Sequence, residues 1–347
     1  MSNISSNIKK EFVEISKLRK RVLLISGMES FKILDSIFSL KTILAKGAEY
    51  KIVYKNNDLI SKNDISNYSR GLDLFLPEII IGLGGGSVID LAKLLIYYNY
   101  LKFRSKFKFI AIPTTCGSGS ESTNFAVIYD KGIKTSINSN LIATDKIIHD
   151  PKSLKFLPKK ALWSSISDSF CQSIESLWSI NANSLSKNHA VKSIKLIVKS
   201  LQNPETPNFK NLLEASYHSG CAINISKTTG PHSFSYFLSS EHSVPHGLAV
   251  LFTMKEFLKI NLKDNKTNSI FYEQLEGVYK DINQISLMLD LILEKSNFNF
   301  NLNKNSFKNC HKHINHERLS NNPVKISPKN YEEIYINSLK LHDKQNY

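Results

Sequence analysis

The chain has 347 residues, of which 41% are hydrophobic and 22% are charged, and its formal net charge is +15. This length suits two domains of roughly 100 to 200 residues each, or one large domain, and the composition excludes wholesale disorder. The longest apolar stretches, Leu74–Leu83 and Leu248–Thr253, are shorter than the roughly 20 residues of a membrane-spanning helix. No membrane association is therefore expected.

The N-terminal segment is polar and lacks an apolar core followed by a small-residue cleavage site, which predicts a cytoplasmic protein. The four cysteines are far apart and form no CxxC pair, as is typical of reduced thiols. The lysines are dispersed, apart from the run Lys17–Arg21. The positive charge therefore reflects either nucleotide bias or attraction of an anionic substrate, and no nucleic-acid partner is expected.

The first half alternates short β-rich runs with helical stretches, which is typical of a parallel sheet covered by helices. The predicted strands are Val22–Ser26, Tyr50–Tyr54, Glu78–Gly82 and Phe107–Ile112, followed by a hairpin of Phe125–Tyr129 and Lys134–Ile137 around the turn Asp130–Gly132, and a last strand at Lys146–His149. We expect a Rossmann-like α/β domain over residues 1–155.

From Pro158 onward, apolar residues recur at helical spacing and nothing resembles a strand. This pattern predicts an all-α domain over residues 156–347. One helix is predicted at Trp163–Trp178 and a final one near Pro328–Leu341. The section Asn297–Asn322 is poor in apolar residues and is expected to form an irregular connection.

Two loops of small residues follow predicted strands in the first half. Glycines at 84–86 precede the predicted helix Val88–Tyr98, where backbone N–H groups and the positive helix end suit a pyrophosphate. A plain tight turn is the alternative. The loop Pro113–Glu121 follows the next strand, and ligands bind at this edge of open α/β sheets. The candidate cofactor-binding residues are Gly27, Gly84, Gly85, Gly86, Ser87, Asp90, Thr114, Thr115, Ser118, Ser120 and Lys134.

The end of the first predicted strand bears on the cofactor. An acidic residue at this position would hold the ribose hydroxyls of NAD and repel the extra phosphate of NADP. Gly27 stands there instead, although Glu29 is close in sequence. NADPH is therefore the predicted cofactor, with NADH as the alternative.

Four residues of the second half could ligate a metal. Asp168 and Gln172 are four residues apart in a predicted helix, so both project from one face. His232 and His246 follow, and His246 lies in a turn-like segment between Pro245 and Gly247. A carboxylate, an amide and two imidazoles can bind a divalent transition metal. Each residue considered alone is more often a solvated or packed side chain.

The order and spacing of five motifs resemble the iron-containing alcohol dehydrogenase family, which belongs with dehydroquinate synthase. These motifs are Gly84–Lys93, Pro113–Glu121, Asp150–Pro151, the helix of Asp168, and Pro245–Gly247. The resemblance covers nearly the whole chain. It implies an N-terminal dinucleotide-binding α/β domain and a C-terminal helical domain that binds metal and substrate. It also implies one divalent metal, Fe²⁺ or Zn²⁺, held by Asp168, Gln172, His232 and His246, and we expect a homodimer.

Two positions depart from the family pattern, because Gln172 and Tyr236 stand where the family usually has histidine. The segments around them, Asp168–Ser179 and Asn224–Tyr236, resemble the phosphonoacetaldehyde reductase branch, in which glutamine and tyrosine are characteristic at these positions. This resemblance implies a small anionic aldehyde as substrate, phosphonoacetaldehyde, which would be reduced to 2-hydroxyethylphosphonate.

The resemblance also implies residue roles. Asp168, His232 and His246 would be catalytic through the metal, and the proton would come from Tyr236, His242, water or the cofactor ribose. The candidate phosphonate-binding residues are Lys227, Thr228, Thr229 and Asn124, with Ser120 beside Asn124 on the cofactor side. Lys227 as a solvated helix residue is the alternative. Competing functions are reduction of an uncharged aldehyde or a polyol phosphate, and nucleotide binding without catalysis.

Overall fold

The computed structural model describes residues 3–56, 60–104, 106–130 and 133–343. The chain divides into two compact units, Met1–Leu157 and Pro158–Tyr347, whereas the predicted boundary follows residue 155. In the described part of the chain, no helix has both the length and the apolar composition to cross a membrane.

The first unit is built on a six-stranded sheet in which every neighbouring pair of strands is parallel. Its strands are β1 (Asn3–Ser5), β2 (Arg21–Ser26), β3 (Glu49–Tyr54), β4 (Ile79–Gly84), β5 (Lys108–Pro113) and β8 (Lys146–Ile148), in the spatial order β1-β8-β5-β4-β2-β3. The strands β6 (Phe125–Asp130) and β7 (Ile133–Asn138) form a separate antiparallel hairpin. The predicted Rossmann-like fold is confirmed.

Helices cover both faces of this sheet. They are α1 (Ile8–Lys17), α2 (Met28–Phe38), α3 (Leu40–Leu44), α4 (Lys62–Phe75) and α5 (Gly86–Phe103). Alternate residues of β2 enter two different cores, with Val22 and Leu24 packing on one face and Leu23 and Ile25 on the other. Because both faces are buried, the central strands β2, β4 and β5 are nearly continuous apolar runs rather than alternating ones.

The order of the strands reverses beside β2. The strand that follows β2 in the chain, β3, lies on one side of it, and β4 lies on the other. In open α/β sheets, ligands bind outside the carboxyl ends of the strands at such a point. Gly27 follows β2 and Gly84 ends β4, so these two candidate cofactor residues lie at this edge.

Two details of the first unit differ from prediction. The strand β1 was not predicted, because two of its three residues are polar and its identity depends on parallel pairing with β8. The strand β4 continues to Gly84, two residues beyond its predicted end. The turn between β4 and α5 is therefore tighter than the sequence suggested.

In the described residues of the second unit, helices are the only regular secondary structure, as predicted. Its helices are α6 (Lys159–Trp178), α7 (Ser184–Ser200), α8 (Phe209–Ser226), α9 (Gly230–Glu241), α10 (His246–Asn261), α11 (Asn265–Gln274), α12 (Ile282–Ser296), α13 (His316–Leu319) and α14 (Tyr331–Asp343). The predicted irregular connection consists of short helical turns at Lys304–Phe307 and Cys310–His313, and α13. The helix α6 carries six serines, yet it is buried along nearly its whole length.

Candidate metal centre and nucleotide loops

Three polar residues of α6 share one buried face. Asp168, Gln172 and Glu175 follow one another at spacings of four and three residues, which aligns their side chains. Their relative exposures are only 7%, 1% and 0%. Burial of carboxylates is costly unless they are paired or bind a metal, so the partners of these side chains define the site.

Asp168, His232 and His246 form a cluster whose ligand atoms all lie within 4.8 Å of one another, and it is the single group of this kind in the described residues. The Nε2 atom of His232 is 3.2 Å from Oδ1 of Asp168, and that of His246 is 3.9 Å from the same oxygen. The two rings lie edge to face, with centroids 5.4 Å apart. Two imidazole nitrogens and a carboxylate oxygen that converge in this way fit a divalent transition metal.

Glu175 orients His232, a role that the sequence analysis missed. Its Oε1 atom accepts hydrogen bonds from the backbone N–H and the hydroxyl of Thr229, at 2.8 and 3.0 Å. Its Oε2 atom bonds to Nδ1 of His232, which leaves Nε2 as the ring nitrogen that faces Asp168. Carboxylates fix metal-binding histidines in this way. The seven-residue spacing from Asp168 was the available signal.

The carboxylates also change the charge of His232. Burial alone would lower the pKa of this imidazole, but Glu175 and Asp168 raise it to about 9. The ring is therefore protonated at neutral pH, with Nδ1–H directed at Glu175 and Nε2–H at Asp168. A cation that binds Nε2 must displace that proton, so metal binding and proton release are coupled.

The amide of Gln172 has a defined orientation. Its nitrogen lies 2.6 Å from Oγ of Ser219, and that hydroxyl donates its proton to the carbonyl of Ser216 at 2.8 Å. Because a hydroxyl has one proton, Ser219 accepts from Gln172, and the group facing it must be the NH₂. The amide oxygen, which is the atom of Gln172 that can ligate a metal, lies on the opposite edge of the amide.

The start of α10 positions His246. Pro245 precedes it in an extended conformation, with φ −54° and ψ 135°. Oγ of Ser167 in α6 donates to the carbonyl of Gly247 at 2.7 Å. A Cβ atom on Gly247 would overlap the carbonyl oxygen of Ser164 and would lie 2.9 Å from the amide nitrogen of Asp168. Backbone contact between α6 and α10 therefore sets the position of His246 relative to Asp168.

The two predicted proton donors lie in different surroundings. Tyr236 is half-buried and lies four residues after His232 on α9, so the two share a face. His242 follows α9, and its Nε2 atom lies 3.1 Å from the carbonyl of Ser306, while its ring packs edge to face on Phe237. Among the described residues, His242 makes no hydrogen bond or ion pair with the metal cluster. These contacts favour Tyr236 over His242 as the predicted proton donor.

The predicted substrate residues belong to both units, because Lys227, Thr228 and Thr229 are consecutive in the second and Asn124 lies in the first. Lys227 begins the connection between α8 and α9, with φ +58°, and its Nζ atom donates to the carbonyl of Asn224 at 3.0 Å. The hydroxyl of Thr228 accepts a hydrogen bond from Arg318. Asn124 belongs to the first unit, where its amide donates to Asn140 at 3.0 Å.

Thr229 holds the carboxylate of Glu175, which bonds to His232. Its hydroxyl accepts from the indole N–H of Trp178 at 2.9 Å and donates to Glu175 at 3.0 Å. Its only proton is thus used within the protein, and its side chain is fully buried. Thr229 thus positions Glu175, and its predicted contact with the substrate stays a prediction.

The two nucleotide loops of the first unit contact each other. Gly85 is the residue before α5, and a Cβ atom on it would lie 3.3 Å from Cγ2 of Thr115. A Cβ atom on Gly86 would overlap Oγ of Ser118, and the N–H of Thr114 donates to the carbonyl of Gly84 at 3.0 Å. Close packing of the loops is therefore a reason for these glycines that does not depend on the predicted ligand binding, while Ser87 is exposed.

Asp90 and Lys93 of α5 hold the second loop. Asp90 accepts from the hydroxyl of Ser120 and, at 3.1 Å, from the N–H of Val127. Lys93 is fully buried, and its ammonium donates to the carbonyls of Ser120, Thr123 and Phe125. Burial lowers its pKa to about 8, against the opposing effect of Asp90 and Glu121. Asp90 thus binds the loop itself, and the sequence analysis missed the role of Lys93.

The remaining cofactor residues lie at the ends of other elements. Gly27 precedes α2, and Glu29 in the first turn of that helix forms an exposed ion pair of 3.0 Å with Lys32. The backbone of Lys134 pairs with Tyr129 in the hairpin, and its side chain lies outside the part that the structure describes.

Comparison with known proteins identifies the family. Residues 5–151 match the iron-containing alcohol dehydrogenase family, and residues 164–338 match the C-terminal domain of that family. The chain therefore belongs to the iron-containing alcohol dehydrogenases, as its motifs suggested.

Two curated relatives and one solved structure illustrate the similarity. The bifunctional aldehyde-alcohol dehydrogenase of Escherichia coli K12 is 26% identical over 74% of this chain, which corresponds to about a third (32%) of that longer relative. Phosphonoacetaldehyde reductase of Streptomyces viridochromogenes is 26% identical over 57% of each chain. The structure of sulfoacetaldehyde reductase from Bifidobacterium kashiwanohense in complex with NAD⁺ matches with a TM-score of 0.83, 22% identity and 96% coverage of each chain, which establishes the shared fold.

Proposed function

We propose that the protein is a metal-dependent, NAD(P)H-linked reductase that converts an aldehyde into a primary alcohol. The convergence of Asp168, His232 and His246 carries this proposal, and membership of the iron-containing alcohol dehydrogenase family supports it. The proposed ligands are these three side chains and the amide oxygen of Gln172. A divalent cation bound there, Fe²⁺ or Zn²⁺, supplies Lewis acidity that polarises a carbonyl oxygen.

The protein's own groups prepare this site. Glu175 holds Nδ1 of His232 and so presents Nε2, and the contact between α6 and α10 holds His246. We propose that Tyr236, on the His232 face of α9, gives a proton to the product oxygen. His242, water and the cofactor ribose are the other candidates.

The first unit supplies the proposed dinucleotide site. Its two loops lie at the carboxyl edge of the sheet, where the end of β4 and the start of α5 provide backbone N–H groups for a pyrophosphate. NADPH is the proposed cofactor, because Gly27 occupies the position of a ribose-binding acid and the nearby Glu29 is paired with Lys32. NADH is the alternative.

The proposed substrate is phosphonoacetaldehyde, and its product is 2-hydroxyethylphosphonate. Gln172 and Tyr236 support this choice through the resemblance to the phosphonoacetaldehyde reductase branch, and the 26% identity to a curated member is consistent with it. An uncharged small aldehyde or a polyol phosphate is the competing substrate.

Activity assays with purified protein test both levels of this proposal. NADPH oxidation is followed with phosphonoacetaldehyde, propanal and lactaldehyde, with and without added ferrous iron. We expect turnover of phosphonoacetaldehyde to exceed that of the uncharged aldehydes by at least about 100-fold in kcat/KM, because a charged group fixed by the protein contributes several kcal/mol. Equal turnover of all three contradicts the substrate, and no turnover of any contradicts the reductase.

The substitution Glu175→Gln is expected to weaken metal binding about 10- to 100-fold, the usual effect of losing a carboxylate behind a metal-binding histidine. The variant loses the negative charge at Nδ1 of His232 but keeps nearly the same volume. Metal affinity is measured by competition with a chromogenic chelator. The exposed Glu205, which pairs with Lys295, provides the control Glu205→Gln, and equal affinities of the two variants would contradict the role of Glu175.

A further inference from the structure

Two cationic side chains of the second unit lie together although they are distant in sequence. Lys227 precedes α9 and Arg318 belongs to α13, and both are half-buried. Burial lowers the pKa of Lys227, and the positive charge of Arg318 lowers it further, while Glu317 acts in the opposite direction. Lys227 directly precedes Thr228, whose hydroxyl accepts a hydrogen bond from Arg318, and two positive charges held together in this way attract an anion.

Arg318 is held by neutral partners rather than by a carboxylate. One of its guanidinium nitrogens donates to the hydroxyl of Thr228, and its guanidinium carbon lies 5.9 Å from the ring centre of Tyr236. Within the described residues, no carboxylate forms an ion pair with it. A guanidinium has five N–H donors, so the bond to Thr228 orients the group while most of its donors can serve a ligand.

The cation pair lies near the metal cluster. His232 and Tyr236 are one turn apart on the same face of α9, and Arg318 lies over the ring of Tyr236. On the other side, Lys227 and Thr228 directly precede Thr229, which bonds to Glu175 behind His232. One turn of α9, roughly 5.4 Å long, separates His232 from Tyr236. A two-carbon chain from a carbonyl oxygen to a tetrahedral anion has a comparable length.

We propose that Arg318, assisted by Lys227 and oriented by Thr228, binds the tetrahedral oxyanion of the substrate and so selects two-carbon aldehydes that carry a phosphonate or a sulfonate. This inference rests on the proposed reductase activity. Arg318 forms paired hydrogen bonds to two oxygens of the anion, a geometry that a planar guanidinium provides and an ammonium does not. The anion thereby fixes the distance of the carbonyl from the metal cluster.

Substrate discrimination in an Arg318→Met variant tests the proposal. KM and kcat are measured with phosphonoacetaldehyde, sulfoacetaldehyde and propanal. We expect KM for the two anionic aldehydes to rise roughly 10- to 100-fold, as for loss of charge-assisted hydrogen bonds, with little change for propanal. Arg318→Lys should show a smaller rise, and Lys259→Met removes an exposed cation from α10 as a control that should leave all values unchanged.

The outcomes separate this inference from the reductase proposal. Equal losses with propanal and the anionic aldehydes, or no change with any substrate, overturn the role of Arg318. Turnover of propanal without preference for either anionic aldehyde in the wild type overturns the anion site and leaves the reductase intact. If no aldehyde is reduced, calorimetric titration with methylphosphonate and methanesulfonate in the presence of a chelator decides. Binding that is lost in Arg318→Met supports the site, and absence of binding to the wild type overturns it.

Discussion

Replacement of Asp168 by alanine is expected to remove the bound metal and to reduce aldehyde turnover on the order of 10³-fold or more, because several kcal/mol of charge stabilisation at the carbonyl oxygen are lost. Oδ1 of Asp168 is the atom that both histidine Nε2 atoms approach, at 3.2 and 3.9 Å. Metal content by elemental analysis should fall from about one equivalent to a small fraction of it.

The variant Asp168→Asn tests whether metal binding requires the charge of Asp168 or only the volume of its side chain. It keeps a side chain of nearly the same volume beside His232 and should also lose the metal, while circular dichroism and the melting temperature of the protein without metal show whether the fold is retained. Full metal content in a folded Asp168→Ala protein would exclude this cluster as the metal site.

Replacement of Gly247 by alanine is expected to destabilise the protein by about 3 kcal/mol or more, at the upper end of overpacking, which corresponds to a fall in Tm of roughly 6–12 °C. The added methyl group meets backbone atoms of α6, the carbonyl of Ser164 and the amide of Asp168. Backbone cannot rotate away as a side chain can, so α6 and α10 must separate. Urea denaturation measures the change in free energy of unfolding.

The control for this substitution is Gly27→Ala. A Cβ atom at Gly27 meets only Oγ of Ser30, at an ordinary contact distance of 3.8 Å. Its effect should stay within about 1 kcal/mol, the cost of alanine at the residue before a helix. Similar stabilities for the two variants would show that α6 and α10 can move apart freely.

Much of the fold was predictable because buried parallel strands have a simple signature. β2, β4 and β5 are short apolar runs bounded by turn residues, and their predicted limits differ from the observed ones by at most two residues. β1 lacked such a signature. Its three residues are polar or exposed, and only hydrogen bonding to β8, far along the chain, makes them a strand.

The residues of the candidate site could be predicted only where they belong to a sequence motif of the family. Asp168, His232 and His246 were selected by family resemblance, and no local pattern states that three separate helices bring them together. Glu175 and Arg318 were missed because their significance lies in partners that are distant in sequence, Thr229 and His232 for the first and Thr228 for the second. Arg318 also lies in a polar section whose composition predicted only an irregular connection.

The serines of α6 have a consequence for how this helix tolerates change. Several return their hydroxyl protons to carbonyls of the preceding turn, as Ser169 and Ser173 do at 3.1 and 2.7 Å, so their burial requires no partner outside the helix. The packing around these positions therefore requires a small side chain rather than an apolar one. Replacement of Ser169 or Ser173 by alanine should therefore be nearly neutral, whereas bulky apolar residues at these positions would force α6 away from the helices packed against it.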